Sequence, residues 1–76
     1  MNKDRRERIQ NAIDLMTTAM DTLQECCDEE QEYFDNMPEN LQGSEKGDAA
    51  NDAISSLESA ISNVDTAISD AEEAMG

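Results

Sequence analysis

Histidine and tryptophan are absent from these 76 residues, and there is one Pro, one Tyr, one Phe and a single pair of Cys. Without His, neither a Ser-His nor a Cys-His nucleophile pair can be assembled. The commonest nitrogen ligand for a metal is missing too. Gly43 and Gly47 stand among acids, so they make no glycine-rich phosphate cradle. The chain therefore reads as non-enzymatic, with no cofactor and no metal centre. No apolar run approaches the roughly 18 residues that mark a membrane span. The first residues are charged and lack the apolar stretch of a secretory signal. Cys26 and Cys27 are neighbours, and on a helix they diverge by about 100°, which rules out an ordinary disulfide between them. A reducing, cytoplasmic compartment is the expectation.

Positive charge is the other scarcity. Lys3, Arg5, Arg6 and Arg8 crowd the N-terminus, and Lys46 is the sole base thereafter, against 19 acids and a net charge of −14 overall. Such a field repels nucleic acid and anionic lipid, so neither is expected as a direct partner. It attracts the basic clefts that normally hold nucleic acid.

What the chain does have is period. Ala50, Ile54, Leu57, Ile61, Val64, Ile68, Ala71 and Met75 alternate spacings of 4 and 3, as do Ile9, Ile13, Met16, Met20, Leu23, Cys27, Glu30, Phe34 and Met37. Each series is a heptad seam of a and d positions. An extra small or apolar residue precedes each a position: Ala12, Ala19, Cys26 and Tyr33 in the first arm, Ala53, Ala60, Ala67 and Ala74 in the second. A three-in-seven stripe is wide enough for a helical bundle, and alanine at its flank lets helices approach closely. Strict periodicity also argues against the disorder that so high a charge could otherwise cause.

Pro38 disfavours helix at Met37 and removes a backbone donor, while Gly43 and Gly47 supply turn freedom. The spacing predicts helix 1 over about 3–36, a turn over about 37–44 and helix 2 over about 45–74. Either Ser44 or Asp48 is a suitable N-cap for helix 2. Matched lengths and a short connection give an antiparallel two-helix coiled-coil hairpin, an all-α single domain spanning 1–76. Folding near residue 42 sets Leu23 opposite Ile61, Met20 opposite Val64, Met16 opposite Ile68 and Ile13 opposite Ala71. Arg5, Arg6 and Arg8 would then meet Glu72 and Glu73, relieving two placements that oppose the helix dipoles. A chain this short buries only about 60% of its unfolded surface, so dimerisation into a four-helix bundle is the expected remedy.

The acids are the candidate site. Asp21, Glu25, Asp28, Glu29, Glu32 and Asp35 on helix 1, with Asp52, Glu58, Asp65 and Asp70 on helix 2, are the residues expected to bind a partner. No calcium-loop pattern accompanies them, so a solvated face is expected rather than a cation site. Glu30 occupies a seam position, where an unpaired buried carboxylate costs several kcal/mol. It either reaches water near the turn, fixes register, or makes a functional contact. Cys26 and Cys27 read as small apolar fillers. Tyr33, Phe34, Met37 and Leu41 gather beside the turn, either as a plug closing the hairpin or, for Tyr33, Phe34 and Met37, as an apolar hot spot.

The stretch Y-F-D-N-M-P-E-N-L-Q-G-S at residues 33–44, followed by the A-I-S-x-L-E heptads, resembles small acidic helical-hairpin proteins of bacteriophages and other mobile elements. The likeness covers the turn and second helix, and the turn segment is its distinctive part. It implies a viral or mobile-element origin, a setting in which tiny acidic proteins include inhibitors of host defence nucleases such as anti-CRISPR proteins. With the charge, it makes the expected function that of a DNA mimic: an inhibitor acting in the host cytoplasm on a basic nucleic-acid-binding defence protein. The alternatives are a structural or adaptor hairpin that mediates oligomerisation, and an oligomeric sponge for a nucleotide signal.

Overall fold

The computed structural model describes residues 1–76 and contains three helices: α1 over Lys3–Asp35, a single-turn α2 over Glu39–Gln42, and α3 over Glu45–Met75. α1 and α3 pack antiparallel as the two arms of a hairpin. The Cα trace measures 58 × 15 × 13 Å, with a radius of gyration of 17.2 Å. A compact chain of this length would have a radius near 11 Å, so the molecule is a rod one hairpin thick.

The seam lies where the heptads place it. Ile13, Cys27, Ala50, Ile54 and Ile68 are buried, and the other a and d residues from Ile9 to Met75 are buried or half-buried. The Cys27 sulfur lies 4.0 Å from the Ile54 carbonyl. Its thiol also feels the Glu58 carboxylate. Ile54 and Glu58 bracket Leu57, which is the partner that the Leu23–Ile61 register assigns to Cys27. Continuing that register sets Phe34 opposite Ala50 and buried Met37 opposite buried Gly47, bulky residues against small ones. Heptad repeats create this core and also limit it: no side chain is completely enclosed.

The ends of the arms have identifiable causes. Asn2 caps α1, its side chain accepting from the Arg5 amide at 2.7 Å. α1 stops at Asp35 with Asn36 as its C-cap, ahead of Pro38. Ser44 occupies the N-cap position of α3 without a side-chain cap, because its hydroxyl donates to the Leu41 carbonyl instead. The turn contains an element that the linear pattern does not announce. The α2 turn is held by the Gln42 side-chain amide, which donates to the carbonyls of Phe34 at 3.2 Å and Met37 at 3.3 Å. The Phe34 carbonyl also accepts from the Met37 amide at 3.1 Å, so Gln42 reinforces a turn that the backbone begins. Gly47 lets α3 pass close to α2: a Cβ there would run into the Gln42 carbonyl and lie 2.7 Å from the Leu41 oxygen.

The expected pairing of the N-terminal arginines with Glu72 and Glu73 is not formed. The one ion pair is Arg8 to Asp4, at 3.1 Å within α1. The register explains this: Glu72 and Glu73 lie opposite Ala12 and Asn11, about a turn short of Arg8. A neighbour at i−4 is available without that reach.

Candidate carboxylate interface

An antiparallel hairpin sorts its flanks. Reversing the second helix while keeping its seam inward brings the two g rows to one side and the two e rows to the other. One broad face therefore combines the g and c rows of both arms, and the other combines the e and b rows. The outermost f positions form the edges.

The e and b face carries a ladder. Along α1, Glu7, Asp14, Asp21, Asp28 and Asp35 recur at every seventh residue, all exposed. Across the groove, Glu58, Asp65 and Glu72 recur at the same period on α3. Heptad spacing corresponds to about 10.5 Å of rise. The register sets Glu72 near Asp14, Asp65 near Asp21 and Glu58 near Asp28, so the carboxylates form successive rungs. Both Asp28 and Glu58 raise the proton affinity of Cys27, which fits their lying on one side of the seam.

Three of the aspartates are held in place. Gln10 donates to Asp14, Gln24 to Asp28 and Gln31 to Asp35, each at 3.0 Å. These glutamines occupy the e row, so each amide ties its carboxylate toward the groove. Asp21 lacks such a donor, since position 17 is threonine and its hydroxyl bonds the Ile13 carbonyl.

The ten acids expected to act together are divided by this geometry. Asp21, Asp28, Asp35, Glu58 and Asp65 share the ladder face. Glu25, Glu32 and Asp52 lie on the outer edges. Glu29 and Asp70 lie on the opposite face, in the c row. Asp14, Glu7 and Glu72 belong to the ladder but were not among the expected residues. Their seven-residue spacing was the signal, and the denser run at 25–35 masks it.

Glu30 is half-buried in the seam, yet no buried side-chain oxygen lacks a partner and no hydrogen bond is formed by its carboxylate. Its charge therefore reaches water, as expected of a seam residue near the turn. The apolar trio beside the turn does not make one patch: Met37 is buried, Phe34 is half-buried and Tyr33 is 47% exposed. Met37 and Phe34 plug the hairpin end, and Tyr33 and Leu41 remain outside the plug. Cys26 and Cys27 also separate. Cys26 is exposed rather than a core filler, whereas Cys27 is buried. Burial pushes the Cys27 thiol above its ordinary value, and the charges of Glu58 and Asp28 push it further.

The hairpin contains no pocket, so what it offers a partner is surface. No group of three or more Cys, Asp or Glu is arranged to hold a metal ion. No helix is long and apolar enough to cross a membrane. No protein-family model, curated protein or solved structure matches the chain.

Proposed function

We propose that this protein is a non-enzymatic acidic binding protein that inhibits a nucleic-acid-binding protein by occupying its basic surface. The observation that carries the reading is the sorting of carboxylates into a two-railed ladder. Acids serving only solubility would need no common period on one face. Instead Glu7, Asp14, Asp21, Asp28 and Asp35 on α1 and Glu58, Asp65 and Glu72 on α3 keep a seven-residue period on one face, while the g rows of both arms are alanine-rich although largely exposed. Where both rails run, beside Glu58, Asp65 and Glu72, a repeat of about 10.5 Å places one charge per roughly 5 Å. A single nucleic-acid strand places one per about 3.4 Å. The ladder is thus sparser than a strand but continuous over several turns, which suits a groove lined with Lys and Arg. A host defence nuclease or effector is the partner class that the phage-like resemblance of the turn suggests. The functional unit in this reading is a homodimer of hairpins in a four-helix bundle.

The test is capture from a bacterial lysate at about 50 mM and 300 mM salt, chosen because phosphate-mimicking contacts weaken steeply over that range. The tagged hairpin should retain a nucleic-acid-binding protein at low salt and lose it at high salt. The captured protein should release nucleic acid as hairpin is added. Retention that is unchanged by salt, or by neutralising Asp14, Asp21 and Asp28, would refute the mimic reading and favour the adaptor.

A further inference from the structure

The face opposite the ladder is the strongest unexplained feature. Its centre is almost without charge. Ala12, Ala19 and Cys26 run along α1, faced by Ala60 and Ala67 on α3, and most of these residues are exposed. Leu15 stands among them at 73% exposure, the most exposed large apolar side chain of the molecule, and Tyr33 closes one end at 47%. Leu15 is in the c row, so with the g row it makes a second heptad stripe on α1. A helix carrying two such stripes is built to touch two neighbours. The hairpin supplies only one.

We infer that this face binds a second copy of the chain, with the two rods antiparallel about a two-fold axis perpendicular to their length. The inference rests on the homodimer reading above and is independent of the basic partner. Area supports it. A monomer of 8.4 kDa typically exposes about 4,600 Å², whereas this chain exposes 5357 Å². The excess is close to the roughly 800 Å² that each partner contributes to a stable interface. A face of 58 × 15 Å supplies about that much.

Charge chooses the direction. On this face α1 carries Arg5 and Arg8 near the termini and Glu29 beside Tyr33 near the turn, while α3 carries Asp70 toward the termini and Lys46 near the turn. Parallel rods would lay α1 on α3 of the second copy and leave Arg8 about six residues, or roughly 9 Å of rise, from Asp70. Antiparallel rods lay α1 on α1 and bring Arg8 within about four residues, or roughly 6 Å of rise, of Glu29 in the second copy, which is the closer complementary pairing. Full overlap about the rod midpoint then places Arg8 against Tyr33 of the second copy, a cation over an aromatic ring. It places Leu15 against Cys26, and Ala60 against Ala67. Alanine facing alanine permits the shortest interhelical approach, near 8 Å. The two ladders point outward on opposite sides, so the dimer would present two binding faces.

Cross-linking tests the arrangement. In the Leu15→Cys, Cys27→Ala variant the introduced thiol should couple to Cys26 of the second copy under mild oxidation. The product is a covalent dimer with two bridges, identified by non-reducing electrophoresis and peptide mass. Within one chain these positions are about 16 Å apart along the helix and cannot join. The Thr18→Cys, Cys27→Ala variant, on the outer edge, should stay unlinked. Sedimentation equilibrium of the unmodified chain separates the failures. A monomer at about 100 μM, far above any useful dimer constant, removes the dimer reading and this inference with it. A dimer whose Leu15→Cys form does not cross-link keeps the dimer and overturns the face and direction assigned to it.

Discussion

The two broad faces of this rod share the same helices and the same length, yet their chemistry is nearly opposite. One bears Asp14, Asp21, Asp28, Glu58 and Asp65 in rungs, three of its aspartates tied down by glutamines. The other bears alanines, Leu15 and a thiol, with Arg5, Arg8 and Asp70 toward the termini and Glu29 and Lys46 toward the turn. Solubility alone would not distinguish them. An antiparallel hairpin gives its sequence independent control of the two faces, because the e rows meet on one side and the g rows on the other. The contrast is between a continuous run of carboxylates on one side and sparse charge of both signs on the other, which argues for two different encounters. The seam between them provides the scaffold.

The contrast is broken most severely by erasing the ladder. Replacing Asp14, Asp21, Asp28, Glu58 and Asp65 by their amides should lower affinity for the basic partner about 100-fold, or about 2.7 kcal/mol, while far-ultraviolet dichroism stays helical. Each exposed contact contributes little, and the loss comes from removing them together. Replacing the edge acids Glu25, Glu32 and Asp52 should cost less than tenfold. Equal losses from the two sets would show that total charge matters rather than its placement.

Making the bare face resemble the other is the next largest change. Ala19→Glu with Ala60→Glu puts a carboxylate on each arm at the centre of the interface, where like charges would meet across the two-fold axis. Self-association should weaken at least tenfold in sedimentation equilibrium, and each hairpin should still bind the basic partner through its ladder. Unchanged association would place the dimer contact on another face.

Much of the scaffold was legible in the linear pattern. The alternation of 4 and 3 picks out every seam residue from Ile9 to Met75, because burial on a two-helix rod is dictated by angle around the helix. Pro38 marks the end of α1 for a covalent reason that needs no tertiary information. The α2 turn was not legible, because Glu39–Gln42 is held by the reach of Gln42 to Phe34 and Met37. The candidate site was half legible. Density draws attention to residues 25–35, but density along a chain is not density on a face. Glu29 and Asp70 look equivalent to Asp28 and Asp65 until the antiparallel pairing assigns each row to a side. Tyr33 and Cys26 are one residue from the seam, and that step of about 100° takes them from core to surface.

The thiols report the contrast at neighbouring positions. In dilute protein, Cys26 should react with a soluble disulfide reagent at least ten times faster than Cys27, because Cys26 is exposed and Cys27 is enclosed with its thiolate disfavoured. Concentrating the protein should slow Cys26 as the bare face becomes covered. A Cys26 rate independent of concentration would show that nothing covers it.

The smallest expected effect is an alkaline one. The Cys27 thiol holds its proton more tightly in the hairpin than in the unfolded chain, through burial first and the Glu58 and Asp28 charges second. From about pH 9 upward the unfolded chain begins to lose this proton while the hairpin still holds it. In that window the unfolded state binds fewer protons, so stability declines as pH rises. Below the window the protonated thiol is common to both states and the full contribution is present. Urea midpoints at pH 7 and pH 10 should therefore differ for the native chain by more than for Cys27→Ala, whose remaining slope comes from other groups. Equal slopes would mean that Cys27 opens to solvent before it ionises. The seam at its centre would then be looser than the paired residues Leu57 and Cys27 imply, and the two faces would no longer be separated by a rigid core.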